Sequence, residues 1–526
     1  MKRVILGIAA TLVLGVVALA ASACTLYSRA DVNTVGDVSF ENELAIPPLL
    51  EPREEDGRKI FDLALQQGRT ELLPGKPAET WGVNGAHLGP TLRAERGDRV
   101  ELRVRNDLPE TTTVHWHGMH LPAVADGGPH QTIEAGETWT PSWRIDQPAA
   151  TLWYHPHPHG DTADHVYRGV AGLFIVDDPG ASSLPLPDDY GVDDLPVIIQ
   201  DKRLDDNGEL DFSQGLISPT GRLGDTILVN GTHGPYVEIG DERVRFRLLN
   251  GSSARIYNIG FADNREFDLI ATEGGLLETP HRMARIQLSP GERAEIVAAF
   301  QPGERIVLRS YEPELETNFW ETRFAGGNDS FDLVEIRATA VLAASEEVPA
   351  SLAAREALNP EDAERTRSFE LSGQSRLNGR KTDMSRIDEV VRPGATEIWE
   401  VQNAAGTPHN FHVHGVSFTV LEYAGGEPPA HLLGLKDTVY VPPNKTVRLL
   451  IRFPDYPDSE SPYMFHCHML QHEDRGMMGQ FVLAEAGQES ARTLRRTLTP
   501  NTDARPSPAG EHTGEPPLKI LQTGGS

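Results

Sequence analysis

The sequence predicts an all-β protein built from three consecutive copies of one domain. Three observations lead to this fold class: short segments with alternating apolar and polar side chains, a turn residue before each segment, and a regular spacing between them. Alternation with a period of two is the pattern of a half-buried strand. Helical periodicity is scarce, so each copy is predicted to be a β-sandwich or barrel.

The alternating unit occurs six times. Its copies begin at Gly97, Gly136, Gly240, Gly291, Gly394 and Asn444. Two interleaved series result, with intervals of 143 and 154 residues in the first and 155 and 153 in the second. A common period near 150 residues indicates three repeated domains, in agreement with a chain of 526 residues, which is too long for one hydrophobic core.

The three predicted domains cover residues 56–182, 183–340 and 368–486. An N-terminal linker covers residues 24–55. Residues 341–367, rich in Ala and Glu, are predicted to form a second linker with some helix. Residues 487–526, rich in Pro, Thr and Gly, are predicted to be a poorly ordered tail.

The N-terminus has the features of a secretory signal peptide, predicted to span residues 1–23. A basic dipeptide at positions 2 and 3 precedes an apolar run from Val4 to Ala21, and small residues lead up to Cys24. The segment Ala-Ser-Ala-Cys resembles a bacterial lipobox, with Ala where Leu is usual. We expect an extracytoplasmic protein, in the periplasm or at the cell surface, with a lipid anchor on Cys24. Simple cleavage and an uncleaved anchor helix are the alternatives.

Composition restricts the partners. A net charge of −29 and a pI near 5.0 argue against nucleic acid and anionic membrane surfaces. A monomer is expected. The chain has two cysteines, so a processed Cys24 leaves Cys467 without a disulfide partner in the chain. An unpaired thiol of this kind is either an inert buried residue or a metal ligand.

Histidines are clustered far beyond chance. The 19 histidines would give about 0.7 His-x-His pairs in 526 residues. Five pairs occur: His115/His117, His155/His157, His157/His159, His412/His414 and His466/His468. Alternate residues of a strand point to the same side, so each pair can present two imidazoles to one place.

Cys467 stands between the two histidines of the last pair. If this segment is extended, His466 and His468 face one way and Cys467 faces the other. The thiolate can then bind one metal while its neighbours bind others, which provides a short covalent path for electrons. His409, His472 and Met477 can complete a set of two His, one Cys and an axial Met, the ligands of a blue-copper site.

The remaining histidines are predicted to have no metal role, and zinc is the main rival metal. Zinc sites do not require ten ligands divided into groups that one Cys bridges. His159 is ambiguous, because His-Pro-His-Pro-His offers three candidates for two places. The histidines without an assigned role are His87, His120, His130, His165, His233, His281, His431 and His512.

These motifs resemble those of the multicopper oxidases, specifically the bacterial three-domain, laccase-like branch. The matching segments are His115-Trp-His117-Gly, Trp153-Tyr-His155-Pro-His157, His409-Asn-Phe-His412-Val-His414-Gly and His466-Cys-His468 through His472 to Met477. They occur in family order, and the resemblance covers roughly residues 75–485. It implies a cupredoxin-like Greek-key fold for each domain and four copper ions as cofactors.

The resemblance also implies a role for each ligand. The type 1 copper would be held by His409, Cys467, His472 and Met477, and the type 2 copper by His115 and His412. The two type 3 coppers would be held by His117, His155 and His468 and by His157, His414 and His466. This trinuclear cluster would lie between the first and third domains and reduce O₂ to two waters with four electrons.

Two acidic residues match family positions for proton delivery. Asp126 follows the first motif, and Glu473 is adjacent to His472. Reduction of O₂ consumes four protons, so acids near the cluster are expected. The alternatives are a turn former for Asp126 and a surface carboxylate for Glu473.

The sequence restricts the electron donor less than it restricts the copper ligands. Copper-efflux oxidases of this branch carry a methionine-rich insert, whereas this chain has eight methionines and no such cluster. Phenols and aromatic amines are therefore the preferred donors, with Cu(I) or Fe(II) as the alternative and bilirubin oxidase-like activity left open. A non-enzymatic envelope or division protein and a copper-storage protein are the remaining hypotheses.

Overall fold

The computed structural model describes residues 2–215, 217–354 and 357–485, so the predicted tail 487–526 and His512 lie outside it. Helices are few and short in these ranges, except at the N-terminus. They are α1 (Lys2–Ser28), α2 (Thr162–Arg168), α3 (Pro179–Ser182), α4 (Phe319–Phe324) and α5 (Leu470–Asp474). Three 3₁₀ turns span Ala123–Ala125, Pro360–Asp362 and Ala430–Leu432.

Strands make up most of the ordered structure. In the first third they are β1 (Asn42–Glu43), β2 (Arg53–Glu55), β3 (Arg58–Leu73), β4 (Lys76–Val83), β5 (Leu92–Glu95), β6 (Arg99–Asn106), β7 (His115–His117), β8 (Thr138–Trp139), β9 (Ser142–Arg144), β10 (Ala150–His155) and β11 (Gly172–Asp177).

In the second third the strands are β12 (Asp194–Lys202), β13 (Thr226–Val229), β14 (Thr232–His233), β15 (Pro235–Asp241), β16 (Arg243–Asn250), β17 (Tyr257–Phe261), β18 (Phe267–Thr272), β19 (Gly275–Met283), β20 (Ile286–Leu288), β21 (Arg293–Ala299), β22 (Arg305–Tyr311) and β23 (Phe331–Ala343).

In the last third they are β24 (Arg365–Ser372), β25 (Arg376–Leu377), β26 (Glu389–Val391), β27 (Thr396–Asn403), β28 (His409–Val413), β29 (Phe418–Tyr423), β30 (Thr438–Val441), β31 (Thr446–Arg452), β32 (Asp458–His466) and β33 (Met478–Leu483).

Each third of the chain forms two sheets, and β1 of the first third joins a sheet of the second. The first has the orders β2-β3-β6-β8 and β5-β11-β10-β7, with β4 on β3 and β9 on β6. The second has β14-β13-β12-β16-β21-β18-β19 and β1-β15-β23-β22-β17-β20, and the third has β25-β24-β27-β31-β29 and β26-β33-β32-β28-β30. Apolar side chains from both sheets of each pair share one buried core.

The repeat units of the sequence are neighbours in these sheets. Strands β6, β16 and β27 of the first series pair antiparallel with strands of the second series, namely β8 and β9, β21, and β31. The same three strands pair parallel with β3, β12 and β24. One arrangement repeated three times confirms the predicted all-β fold.

One predicted turn is wrong. Gly240 lies inside β15, whereas the first residues of the other five units have positive φ angles, as turn residues do. An irregularity between Ile239 and Asp241 lets β15 continue, because Asp241 then pairs with Ala343 of β23. The next strand, β16, starts at Arg243.

The helix expected in residues 341–367 does not form in the described part of that stretch. Residues 341–343 continue β23, and Ala343 pairs with Asp241 of β15. Beyond them, the described residues contain the 3₁₀ turn at Pro360–Asp362, which Asn359 caps, before β24 begins. Strand pairing here outweighs the helical preference of Ala and Glu.

The N-terminal region contains α1, which runs through the exposed Cys24. Within the described ranges, no helix combines the length and apolar character needed to span a bilayer. The signal peptide and the lipid anchor stay predictions, as do the domain boundaries. In residues 24–55, β1 pairs with β15 and β2 pairs with β3.

Candidate metal centres

Strand pairing brings the histidine motifs together. In the first domain β7 pairs with β10, which places His115 opposite His155. In the third domain β28 pairs with β32, which places His412 opposite His466. The eight histidines of the four paired motifs, His115, His117, His155, His157, His412, His414, His466 and His468, are at most 1% exposed.

Ring nitrogens from the two domains converge on one place. His466 Nε2 lies 3.1 Å from both His157 Nε2 and His414 Nε2. His155 Nε2 lies 3.4 Å from His117 Nδ1 and from His468 Nε2. The predicted cluster therefore has a geometric counterpart between the first and third domains.

The outward ring nitrogens of most of these histidines have hydrogen-bond acceptors. His115 Nδ1 donates to Asp126 O (2.9 Å), His155 Nδ1 to Pro156 O (2.8 Å), His412 Nδ1 to Asp437 O (2.8 Å), His414 Nδ1 to Asp126 Oδ2 (2.7 Å), His466 Nδ1 to Cys467 O (3.1 Å) and His117 Nε2 to Asp437 Oδ1 (2.9 Å). Such bonds fix the tautomer, so the inward nitrogens carry lone pairs.

Unprotonated ring nitrogens whose lone pairs face one another repel, and a bound cation would remove this repulsion. Burial, with help from neighbouring imidazoles, lowers the pKa of His115 and His412 well below the usual value, so both rings are neutral. Their Nε2 atoms are buried and have no hydrogen-bond partner. This donor set fits transition-metal ions, which neutral imidazole binds well.

Groups of three ligand atoms within 4.8 Å of one another agree only partly with the predicted copper sets. His157, His414 and His466 form one group, as expected for one type 3 copper. His115 belongs to two groups, one with His117 and His155 and one with His412 and His414. His468 approaches the other expected set through His155.

Both predicted acids lie against this cluster. Asp126 contacts the rings of His115 and His414, and burial raises the pKa of its carboxyl well above the usual value. Glu473 has one oxygen 3.3 Å from His157 Nδ1 and the other 3.1 Å from His466 Nδ1. Desolvation alone would raise the pKa of Glu473, but His157 and His466 lower it below its usual range.

A second donor set surrounds Cys467. Its Sγ lies 3.5 Å from His409 Nδ1 and 3.7 Å from His472 Nδ1, and these nitrogens are 3.1 Å apart. The outward nitrogens donate to Gly373 O and Pro219 O at 3.0 and 2.9 Å.

Burial raises the pKa of the Cys467 thiol to about 12, so a cation must displace its proton before the thiolate can bind. Met477 is fully buried in the same core, and its carbonyl oxygen accepts a hydrogen bond from the Cys467 amide. The three residues 466–468 therefore join the two donor sets through one short backbone segment.

The other histidines stay apart from these groups. His159 is exposed, which removes the ambiguity in His-Pro-His-Pro-His. Within the described ranges, no metal-competent group includes His87, His120, His130, His165, His233, His281 or His431.

Sequence reasoning missed Asp437. This residue lies within 4.8 Å of ligand atoms of His117 and His412 and forms ion pairs with Arg293 of the second domain. A single Asp before a strand carries no periodic signal, and its partners are more than 20 residues away in the sequence.

Comparison with known proteins gives matches along most of the chain. Residues 64–181 and 350–487 match two family models described as multicopper oxidase. The chain is 35% identical over 447 residues to the multicopper oxidase mco of Staphylococcus haemolyticus, covering 84% of this chain and 92% of that protein. It is 37% identical over 474 residues to the cell division protein FtsP of Sodalis glossinidius, covering 88% and 96%.

A solved structure is similar in fold as well. The bacterial laccase-like multi-copper oxidase CueO from Ochrobactrum sp. superposes with a TM-score of 0.77 at 35% identity, covering 84% of this chain and all of that one.

Proposed function

The chain belongs to the multicopper oxidases, and from this premise we propose that it oxidises phenols and aromatic amines one electron at a time and reduces O₂ to water with four copper ions. The observation that carries the proposal is the convergence of eight buried imidazoles beside a separate Cys-His-His set, joined by Cys467 itself. Bound copper would supply one-electron redox chemistry at the Cys467 set and O₂ reduction at the histidine cluster.

The proposed ligands follow the two donor sets. The type 1 ion would be held by His409, Cys467, His472 and Met477, and the type 2 ion by His115 and His412. The type 3 ions would be held by His117, His155 and His468 and by His157, His414 and His466. Two inward Nδ1 atoms and the Sγ atom support the first set, and the two partnerless Nε2 atoms support the second.

The acids have distinct proposed roles. Four electrons, four protons and one O₂ give two waters, so protons must reach a cluster that is closed to solvent. Glu473 bridges the Nδ1 atoms of His157 and His466, and Asp126 bonds the rings of His115 and His414. Asp126, whose carboxyl pKa is raised by burial, is placed to hold a proton next to the cluster. Glu473, whose pKa is lowered, is placed to accept a proton and pass it on, and both acids orient the rings they contact.

A phenolic donor is favoured by two features. The laccase-like oxidase of Ochrobactrum sp., which shares the fold, has oxidase activity towards lignin model compounds and lignosulfonate. The chain also lacks a methionine cluster that would bind Cu(I), since it has eight methionines in all. Oxidation of Cu(I) or Fe(II) is the second enzymatic candidate.

A cell-division role without catalysis is a further candidate, because the identity to FtsP, 37%, matches that to the multicopper oxidase mco, 35%. Overall similarity therefore does not separate the two functions. The complete and converging ligand sets argue for the oxidase, since a scaffold has no need of buried lone pairs that face one another.

The test is O₂ uptake by the copper-loaded protein with a methoxyphenol and, separately, with Cu(I), each corrected for autoxidation. Uptake with the phenol supports the proposal, and uptake with Cu(I) alone would make the protein a metallo-oxidase. No uptake with either donor, in a sample with four coppers per chain, would favour the scaffold or storage function.

Two variants complete the test. Cys467→Ser should lose both the blue colour and O₂ uptake, because a hydroxyl does not replace the thiolate. His157→Ala should lower the copper content, whereas His159→Ala, a change in the same His-Pro run at an exposed position, should leave it unchanged.

A further inference from the structure

The second domain supplies none of the proposed copper ligands, yet one of its arginines reaches the edge of the cluster. Arg293 begins β21 and is 1% exposed. Its Nη1 and Nη2 donate to Asp437 Oδ1 and Oδ2 at 2.8 and 2.7 Å, which is a bidentate pair. Such a pair is geometrically specific as well as strong.

Asp437 in turn holds two histidines from different domains. Its Oδ1 accepts from His117 Nε2 at 2.9 Å, and its carbonyl oxygen accepts from His412 Nδ1 at 2.8 Å. Because Nε2 of His117 is occupied in this way, that ring presents Nδ1 to the cluster, unlike the rings that present Nε2. The carboxylate position therefore decides which nitrogen of His117 is available to a metal.

Arg293 makes further bonds on the cluster side. Its Nε donates to Thr151 O in β10, the strand that ends at His155. Its Nη1 also donates to Gly291 O, and a Cβ at Gly291 would lie 3.0 Å from His468 Nδ1. One guanidinium thus contacts the strand that ends at His155, the backbone of Gly291 beside His468, and a carboxylate bonded to His117.

The Arg293–Asp437 pair is tightly packed against the residue that follows His117. Gly118, with a φ of +87°, directly follows His117, and a Cβ there would lie 2.6 Å from both Arg293 Nη2 and Asp437 Oδ2. A side chain at this position would push the ion pair away from His117. The absence of a Cβ at Gly118 is what allows the pair to sit beside the histidine.

We propose that Arg293 is a positioning residue of the trinuclear copper site, acting through Asp437 to hold His117 with Nδ1 inward and to orient His412. The inference rests on the proposed function, because it assumes that the cluster binds copper. Arg293 itself touches neither metal nor O₂. The second domain then contributes to the cluster by orienting ligands that the first and third domains supply.

The chain offers a matched control on the neighbouring strand. Arg247 of β16 is 3% exposed and forms a bidentate pair with Asp194, with Nε–Oδ1 and Nη2–Oδ2 distances of 2.8 Å. It also bonds Thr151, through the side-chain Oγ1. Its partners do not include a histidine, so Arg247→Gln reports the structural cost of losing a buried arginine pair at this interface.

The experiment compares copper-loaded Arg293→Gln with Arg247→Gln. The readouts are copper atoms per chain, the EPR spectrum, the intensity of the blue absorption and the unfolding temperature. We expect Arg293→Gln to bind the copper of the histidine cluster about 10-fold or more weakly and to change its EPR signal, with the blue absorption per chain retained. The donor KM should stay the same while kcat falls. Arg293→Lys keeps the positive charge but cannot form the bidentate pair with Asp437, so its loss of copper affinity and its change in EPR signal should be intermediate.

Equal copper content and an unchanged EPR spectrum in Arg293→Gln and Arg247→Gln would overturn the proposal and leave Arg293 a structural residue. If Arg293→Gln does not fold, Asp437→Asn removes the same charge pair with a side chain of equal size. A wild-type EPR spectrum in that variant would equally overturn it. These readouts do not depend on donor oxidation, so an inactive but fully loaded wild type would refute the proposed function and leave this comparison interpretable.

Discussion

His472 Nε2 donates a hydrogen bond to the carbonyl oxygen of Pro219, 2.9 Å away. Through this contact the Pro219 segment of the second domain covers His472 beside Cys467. His472 is fully buried. A donor therefore does not touch the imidazole directly in this conformation. Gln374 of the third domain holds the Pro219 segment, because its Nε2 donates to Ser218 O and Pro219 O at 3.2 and 3.1 Å.

Removing this side chain should favour large donors. Gln374→Ala deletes the two hydrogen bonds to the 218–219 segment and a third that Arg475 Nη1 donates to Gln374 Oε1. The first two are worth about 1–2 kcal/mol together, which corresponds to roughly a 5- to 30-fold larger population with His472 uncovered. We expect kcat/KM to rise several-fold for a bulky methoxyphenol, measured as initial O₂ uptake. Gln67→Ala, an exposed change on β3, is the control. An unchanged kcat/KM in Gln374→Ala would mean that the donor binds elsewhere.

Copper loading should release a proton from Cys467. Burial raises the pKa of this thiol to about 12, so it is protonated throughout the range from pH 6 to 9 in the metal-free protein, and the thiolate forms only on binding. Titration of the metal-free protein with copper in weakly buffered solution should release about one proton per chain more than the same titration of Cys467→Ser. Equal release by the two proteins would show that Cys467 is not a ligand.

Glu473→Gln should slow O₂ reduction without slowing electron entry. The amide keeps the size of the side chain but does not carry a proton to the cluster, and general acid catalysis typically contributes about 10²- to 10⁴-fold. We expect O₂ uptake to fall by about 10²-fold, while anaerobic bleaching of the blue colour by the donor keeps its rate. Glu460→Gln, exposed on the same strand that ends at His466, is the control. Equal slowing of both steps would contradict a role confined to the cluster.

Acid should destabilise the protein through Glu295. Desolvation by burial would raise the pKa of this carboxyl, but Arg245 and Arg247 outweigh it and lower the pKa from 4.5 to about 2. The ion pairs therefore add stability that is fully present above pH 4.5 and is lost as the pH falls towards 2. The shift corresponds to about 3 kcal/mol.

Chemical unfolding of Glu295→Gln at several pH values checks this expectation. The variant should be less stable at pH 7, because two arginines lose a buried partner, and its stability should fall less steeply than that of the wild type below pH 4.5. Glu238→Gln, at an exposed position of β15, should follow the wild-type curve. Parallel curves for Glu295→Gln and wild type would show that Glu295 titrates normally.

Much of the architecture follows from local pattern. The alternation after Gly97 and Gly394 corresponds to β6 and β27, and the alternation after Gly291 and Asn444 corresponds to β21 and β31. Gly240 was misplaced because an irregularity in β15 depends on its partner β23, which lies about 100 residues away in the sequence. A local pattern carries no information about such a partner.

The sequence by itself determined which residue types meet in pairs, because a strand sends every second side chain to the same side whatever the rest of the protein does. This rule predicts that His466 and His468 face away from Cys467, although β32 itself ends at His466. Only the tertiary structure decided which nitrogen of His117 faces the cluster, that Arg293 and Asp437 hold it there, and that Pro219 covers His472. Those relations join residues of different domains, and they arise from the packing of whole sheets, which no short stretch of sequence encodes.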